Sequence, residues 1–324
     1  MRNAIICIAA TVVVVSLSQP RSATRLDENN GQAISDIQTG HRLPMPEMTF
    51  PELESAAGKT GIVLLPIGSI EEHGPHLPLA TDSIIATSQL LEVQEFLRTR
   101  GVETVVGPVL NVGITTDAGD WSRDGTYIYP GSLTVSADTF VALYLDVIRS
   151  LRDNRLRRVF VYSGHFGPRH VRTVARIAEE ANRRISEVRV QALIESDLVA
   201  RLALKPGPAL LSIEGGRNFE LLAKLLGKGL EMPNTTHADG TETSLMLYWR
   251  PDLVRRGYQQ HEPATSSRFF DAYRSGNREK NPTGMGGFPL GQASSAAGKE
   301  ICEDRARRMA DTILRAFVDA PSPR

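Results

Sequence analysis

The stretch Leu64–Asp82 places Glu71, His73 and Asp82, all of metal-binding type, after an apolar run. Glu71 and His73 are two apart, so an extended backbone points both to one side. Asp82 follows nine residues after His73, as a helical pattern begins. Two carboxylates and an imidazole meeting at the exit of a buried strand are the donor set of a hard-to-borderline divalent ion, and so of water activation for hydrolysis. His165, in Ser163-Gly164-His165-Phe166-Gly167, and the segment from His237 to Met246, which contains Glu242, offer further donors.

For these residues to act together, the chain must bring distant segments to one edge. Gly61–Ile67 reads as a buried parallel strand and Asp82–Arg98 as a helix with Ile84, Ile85, Leu90, Leu91, Val93 and Leu97 on its apolar stripe. Val102–Val109, Arg158–Tyr162 and Val188–Ile194 read as strands. Ser136–Leu151, Val171–Arg184, Phe219–Leu226, Glu242–Trp249 and Asp304–Phe317 read as helices. The Gly-, Ser-, Asn- and Pro-rich residues 255–300 read as long loops. Alternating strands and helices predict an α/β fold with a mainly parallel sheet, and such sheets bind ligands outside the carboxyl ends of their strands. Glu71/His73 and His165 both fall at that end.

The chain has 324 residues, with 37 Lys and Arg balanced by 37 Asp and Glu, so no polyanion or nucleic-acid partner is implied. Met1-Arg2-Asn3 followed by an apolar run from Ala4 to Leu17 reads as a signal peptide over residues 1–18, which predicts a periplasmic or secreted protein with no membrane attachment after cleavage. Residues 19–50 read as an N-terminal extension and 51–324 as the main domain. Cleavage would leave Cys302 as the sole cysteine, a buried small apolar group, so stability rests on packing and not on a disulfide.

The Gly-Ser-Ile-Glu-Glu-His-Gly-Pro-His-Leu-Pro loop with its Thr81-Asp82, the Gly-His pair at 164–165 and the Glu-Thr-Ser-Leu-Met run that follows His237 resemble the creatininase family. The resemblance runs from about Gly61 to Val254, and more weakly over Gly284–Gly298. It implies a three-layer α/β/α fold, one or two divalent metal ions per subunit and hydrolysis of an amide-like C–N bond. Zinc is the first expectation, with manganese or iron suiting the same donors. By resemblance, Glu71, Asp82 and His165 hold one ion and His73 and Asp82 the other, with Asp82 bridging. His237 matches the family's catalytic histidine, and Glu242 is a ligand or an acceptor behind the ligands. The family also implies a homo-oligomer, commonly a hexamer.

Three departures bear on the substrate. Gly167 stands where creatininases place a carboxylate ligand, and Pro233 where creatinine-hydrolysing members carry a tryptophan. The loop Asp124–Ser132 lacks a histidine frequent in the family. A small amide other than creatinine, of lactam, imide or formamide type, is therefore the expected substrate. A peptidase acting on a small modified peptide and a non-catalytic periplasmic binding protein are the alternatives. Glu72 replaces the family's Gln and is expected to face away from the metals, and His76 to pack in a turn. His41, His170 and His261 have no partner pattern, and Trp121 and Tyr127–Tyr129 are more at home in the core than in a pocket.

Overall fold

The computed structural model describes residues 43–115, 128–227 and 236–318. The signal-like run, His41, Trp121, Tyr127 and Pro233 lie outside them. Among the described residues no helix is long and apolar enough to cross a membrane.

Helix α1 (Phe50–Thr60) opens the described domain, held by a capping box in which Thr49 and Glu52 satisfy each other's backbone groups. It leads through Gly61 into strand β1 (Ile62–Ile67). Helix α2 (Thr81–Arg98), strand β2 (Val105–Val106), helix α3 (Ala137–Asp153) and strand β3 (Arg158–Ser163) follow. Then come α4 (Pro168–Arg184), β4 (Arg189–Glu195), α5 (Ser196–Arg201), β5 (Leu210–Ile213), α6 (Phe219–Leu226), α7 (Gly240–Trp249), α8 (Ser266–Ser275) and α9 (Ser295–Val318).

The five strands form one parallel sheet in the order β2-β1-β3-β4-β5. The period of two divides its side chains cleanly. Val63, Leu65, Ile67, Val159, Val161, Val190 and Ala192 pack with Phe140, Tyr144 and Ile148 of α3 and with Val174, Ile177 and Ala178 of α4. Ile62, Leu64, Phe160, Tyr162 and Leu193 pack on the opposite face with Leu90, Val93 and Leu97 of α2 and Met309, Ala310 and Ile313 of α9. This is the expected α/β/α sandwich. From β1 the chain runs first to β2 on one side and then to β3 on the other, so the strand order reverses between β1 and β3. A crevice opens at such a reversal.

Differences from the sequence reading have local causes. The strand expected over Val102–Val109 pairs only at Val105–Val106, because Gly107-Pro108 ends it. The region read as loops over 255–300 contains α8, capped by Thr265 at its start and by Gly276 in the left-handed conformation at its end. The last helix begins at Ser295 and not at Asp304. Cys302 is buried on that helix, as expected.

Candidate metal centre

Three chain segments meet at the β1/β3 crevice. The loop leaving β1 brings Glu71 and His73, the first turn of α2 brings Asp82, and the loop leaving β3 brings His165. Gly164 makes the meeting possible, since a Cβ there would overlap the carbonyl oxygen of Asp82.

The Asp82 carboxylate lies between two imidazoles. His73 Nε2 is 3.2 Å from Oδ1, and His165 Nδ1 is 3.4 Å from Oδ2 and 2.8 Å from Glu71 Oε2. Glu242 Oε2, in the first turn of α7, stands 3.5 Å from His73 Nε2. Ser69 donates its hydroxyl to Asp82 Oδ2. Each imidazole is fixed from behind. His73 Nδ1 donates to the Glu71 carbonyl at 3.1 Å, and His165 Nε2 donates to the Ile114 carbonyl at 3.1 Å. These bonds fix the outer nitrogen as the donor to backbone and turn the inner nitrogen toward the carboxylates, where a metal ion would take the place of its proton.

The charge states follow. Burial disfavours the Asp82 anion, but His73 and His165 outweigh it and hold its carboxyl well below the usual range. Burial likewise opposes protonation of His73 and His165, yet the neighbouring carboxylates raise both well above the ordinary imidazole value. Burial pushes Glu242 up to about 7, against the pull of His73 and His237. His73 Nε2 and His237 Nε2 are buried with no hydrogen bond of good geometry, and Glu71 Oε2 meets only the His165 imidazole. Orphaned donor atoms aimed at shared space, beside crowded carboxylates, are what a divalent cation would satisfy. Three groupings have ligand atoms within 4.8 Å of one another: Glu71/Asp82/His165, His73/Asp82/Glu242 and Glu71/His73/His237. The residues present therefore fit a divalent ion, with Asp82 common to the first two groupings.

His237 is anchored by backbone exchange with Gly286, its N–H donating at 2.8 Å and its carbonyl accepting at 2.9 Å. Its ring lies 4.6 Å from that of His73. Glu242 accepts from the Ala238 N–H at 2.7 Å, while Asp239 caps α7 by accepting from Thr241 and Glu242. All six candidate residues are thus brought to one place.

The sequence reading left two residues without the role they occupy. Glu72 is outside the metal groupings but does not face solvent. Its carboxylate accepts from Tyr273 Oη at 2.5 Å and from Gly74 N–H at 3.0 Å, and lies 3.6 Å from His237 Nε2. His170, left unassigned, supports His165: its Nδ1 accepts from Ile114 N–H at 3.1 Å, and its Nε2 bonds Ser163 Oγ at 2.9 Å. Ser163 Oγ in turn binds the backbone of His165. His76 packs as expected, bonded to Thr243 Oγ1 at 2.7 Å. Tyr129 is buried and donates to the Asn281 carbonyl. At Gly167 a Cβ would meet His165 Nε2 at 2.6 Å, so this arrangement of His165 has no room for a side chain there.

The cluster opens into a small cleft that Phe166, Phe269, Phe270 and Tyr273 also line, a concave site of the kind that takes a small molecule.

The family described as creatininase, creatinine amidohydrolase, matches residues 46–313. A creatinine amidohydrolase of Pseudomonas putida is 26% identical over 222 residues, covering 68% of this chain and 76% of that protein. A mycofactocin precursor peptide peptidase of Mycolicibacterium smegmatis is 34% identical over 107 residues, covering 33% of this chain and 40% of the relative. A solved creatininase superposes with a TM-score of 0.63 at 22% identity, covering 87% of this chain and all of that one, which establishes likeness of fold.

Proposed function

The chain belongs to the creatininase family of hydrolases, and on that premise we propose an exported, metal-dependent amidohydrolase that cleaves the C–N bond of a small lactam, imide or formamide. The observation that carries this reading is the Asp82 carboxylate set between the inward nitrogens of His73 and His165, with Glu71 and Glu242 beside them. Glu71, Asp82 and His165 would hold one divalent ion, and His73, Asp82 and Glu242 a second. Bound there, such ions supply a nucleophile from water and polarise a carbonyl. Solved creatininases described as a manganese form and as a zinc–zinc form support a divalent metal.

The remaining chemistry falls to side chains. The expelled amide nitrogen needs a proton, and His237 Nε2 is the group placed to give it. Burial works against protonation of His237, but Glu71 and Glu72 outweigh it and push it up to about 9. With Glu71 engaged as a ligand, Glu72 would be the acid left to hold the proton and orient the ring. Gly167, in place of a carboxylate, argues for an amide other than creatinine. The apolar run at Ala4–Leu17 supports export, and the family supports a homo-oligomer.

Elemental analysis of the mature protein and of His165→Ala, alongside a panel of lactams, imides and formamides, tests the reading. About two ions per subunit, fewer in the variant, with turnover of a panel member, is the expected result. A metal-free protein under replete conditions would overturn it. The match to a mycofactocin precursor peptide peptidase favours a second reading, cleavage of a small modified peptide. Peptide cleavage with no turnover in the amide panel would select it.

A further inference from the structure

The hydrolytic machinery leaves two arginines in the cleft without a task. Arg201 and Arg217 line the same cleft as Glu71, Asp82 and His237. Arg217 is only 6% exposed and is clamped from several sides. Its Nε donates to Asp197 Oδ2 at 2.7 Å and its backbone N–H to Asp197 Oδ1 at 3.0 Å. Its Nη1 donates to Thr236 Oγ1 at 3.3 Å, and the guanidinium lies 4.7 Å over the Phe219 ring. The turn that carries it is shaped for this clamp: at Gly216, φ is +54° and a Cβ would meet Asp197 Oδ1 at 2.5 Å. Thr236 directly precedes His237, so the guanidinium is tied to the side chain of the residue next to the proposed acid.

Arg201, the last residue of α5, is exposed and stands close enough that the charges of both Arg217 and Asp197 act on it. The part of its side chain set along the cleft loses water, and that loss, followed by the Arg217 charge, lowers its pKa from the usual arginine value. A fixed guanidinium with a second beside it is a planar donor array matched to a carboxylate. Asp197 already offsets part of this positive charge, and an anion in the cleft would give the pair a second counter-charge. Phe166, Phe269 and Phe270 add apolar surface for the body of a small substrate.

We propose that Arg201 and Arg217 form an anion subsite and that the substrate is a small amide bearing a carboxylate, which docks on this wall while its amide is presented to the Glu71/Asp82/His165 end of the cleft. The amide half rests on the hydrolase reading above, whereas the subsite stands on its own geometry. The reaction is hydrolysis: water adds to the carbonyl, the C–N bond breaks, the nitrogen leaves protonated, and the product carries one carboxylate more than the substrate.

Two measurements on the metal-loaded protein separate the subsite from the hydrolase reading. In the first, calorimetric titration with propanesulfonate, a weak metal ligand, follows anion binding in wild type, Arg201→Met, Arg217→Lys and His165→Ala. The expected result is binding that weakens about tenfold or more in Arg201→Met and persists in His165→Ala, in line with loss of a charge-assisted contact. Arg217→Lys, which keeps the charge but not the fork, gives an intermediate loss. Binding that survives in Arg201→Met and disappears in His165→Ala, or no binding in wild type, overturns the subsite. The second compares kcat/KM for a lactam carboxylate and its carboxamide. Preference for the anion by tenfold or more, collapsing toward one in Arg201→Met and carried by KM, supports the proposal. Equal turnover of the two in wild type overturns it while leaving the hydrolase reading intact. A free dipeptide and its C-terminal amide extend the comparison: cleavage of the free form alone assigns the carboxylate to a peptide terminus and overturns the small-amide assignment. Anion binding without turnover of any amide removes the hydrolase reading and retains the subsite.

Discussion

Asp82 and Glu195 are both buried carboxylates at the carboxyl rim of one sheet, each beside two cationic or potentially cationic groups, yet they are driven in opposite directions. Asp82 has His73 and His165 at 3.2 and 3.4 Å and accepts the Ser69 hydroxyl. Its anion is favoured although burial opposes it. Glu195 has Arg305 at 3.5 Å and Arg308 at 3.8 Å, but neither of its oxygens accepts a hydrogen bond. Arg308 turns instead to Asp304 at 2.9 Å and to the carbonyls of Glu214 and Gly216. Burial therefore prevails, and Glu195 is pushed up to about 7. A nearby opposite charge does not by itself keep a buried acid ionised. Short, directed contacts do, and the carboxylate that has them sits where a metal ion would use them.

The sharpest test of this contrast exchanges the charge at each position. Asp82→Ala should strip the metal and bring hydrolysis to background, read by elemental analysis and turnover with circular dichroism as the folding control. Glu195→Gln should leave metal content unchanged, and a loss equal to that of Asp82→Ala would break the comparison. His237→Ala should retain metal while kcat falls by about 10²–10⁴-fold, the usual loss for a positioned acid.

Proton competition gives the next effect. His73 and His165 are held protonated by the carboxylates around them when no ion is bound, so metal must displace protons. Affinity should rise with pH, and a chelator should strip the protein more readily at pH 6 than at pH 8. Equal stripping at both values would show that these imidazoles bind no ion. A smaller change is expected from Glu72→Gln. Removing that carboxylate makes His237 easier to deprotonate, and a general acid is active only while protonated. The alkaline limb of the kcat/KM profile should therefore move to lower pH, by about one unit.

Glu195 itself supplies the mildest effect. Its folded pKa, about 7, lies above its ordinary value of 4.5. The folded state thus binds more protons than the unfolded one between these values. Its stability is fullest below pH 4.5 and declines as pH rises through 7, by about 3 kcal/mol in all. Denaturant melts from pH 5 to 8 should show this slope, and Glu195→Gln should flatten it.

Much of the metal end was legible because its residues sit in continuous motifs that follow strands. Glu71, His73 and Asp82 needed only the strand exit and the alternation of extended backbone to be grouped, and His165 closed a second strand. The opposite wall was not legible. Arg217 comes from a Gly-Gly-Arg-Asn turn and meets Asp197 only after the chain has passed through β5. Phe269 and Tyr273 lie in a segment whose Gly, Ser and Pro content concealed α8, although Thr265, the spacing of Phe269 and Tyr273, and Gly276 carried its signature. Alternation sets Glu72 on the other side from His73 but does not name His237 as its neighbour, because it gives a side and not a partner.

The Gly164 contact has a kinetic meaning as well. Asp82, His165 and Glu71 have no shared surface until β1 and β3 are paired and α2 has settled against the loop beyond β3. Those are contacts between residues far apart in sequence, whose loop-closure cost must be met before the site exists. An ion held by these three side chains would therefore be captured only once the sheet is complete, and would be drawn from the compartment in which folding ends.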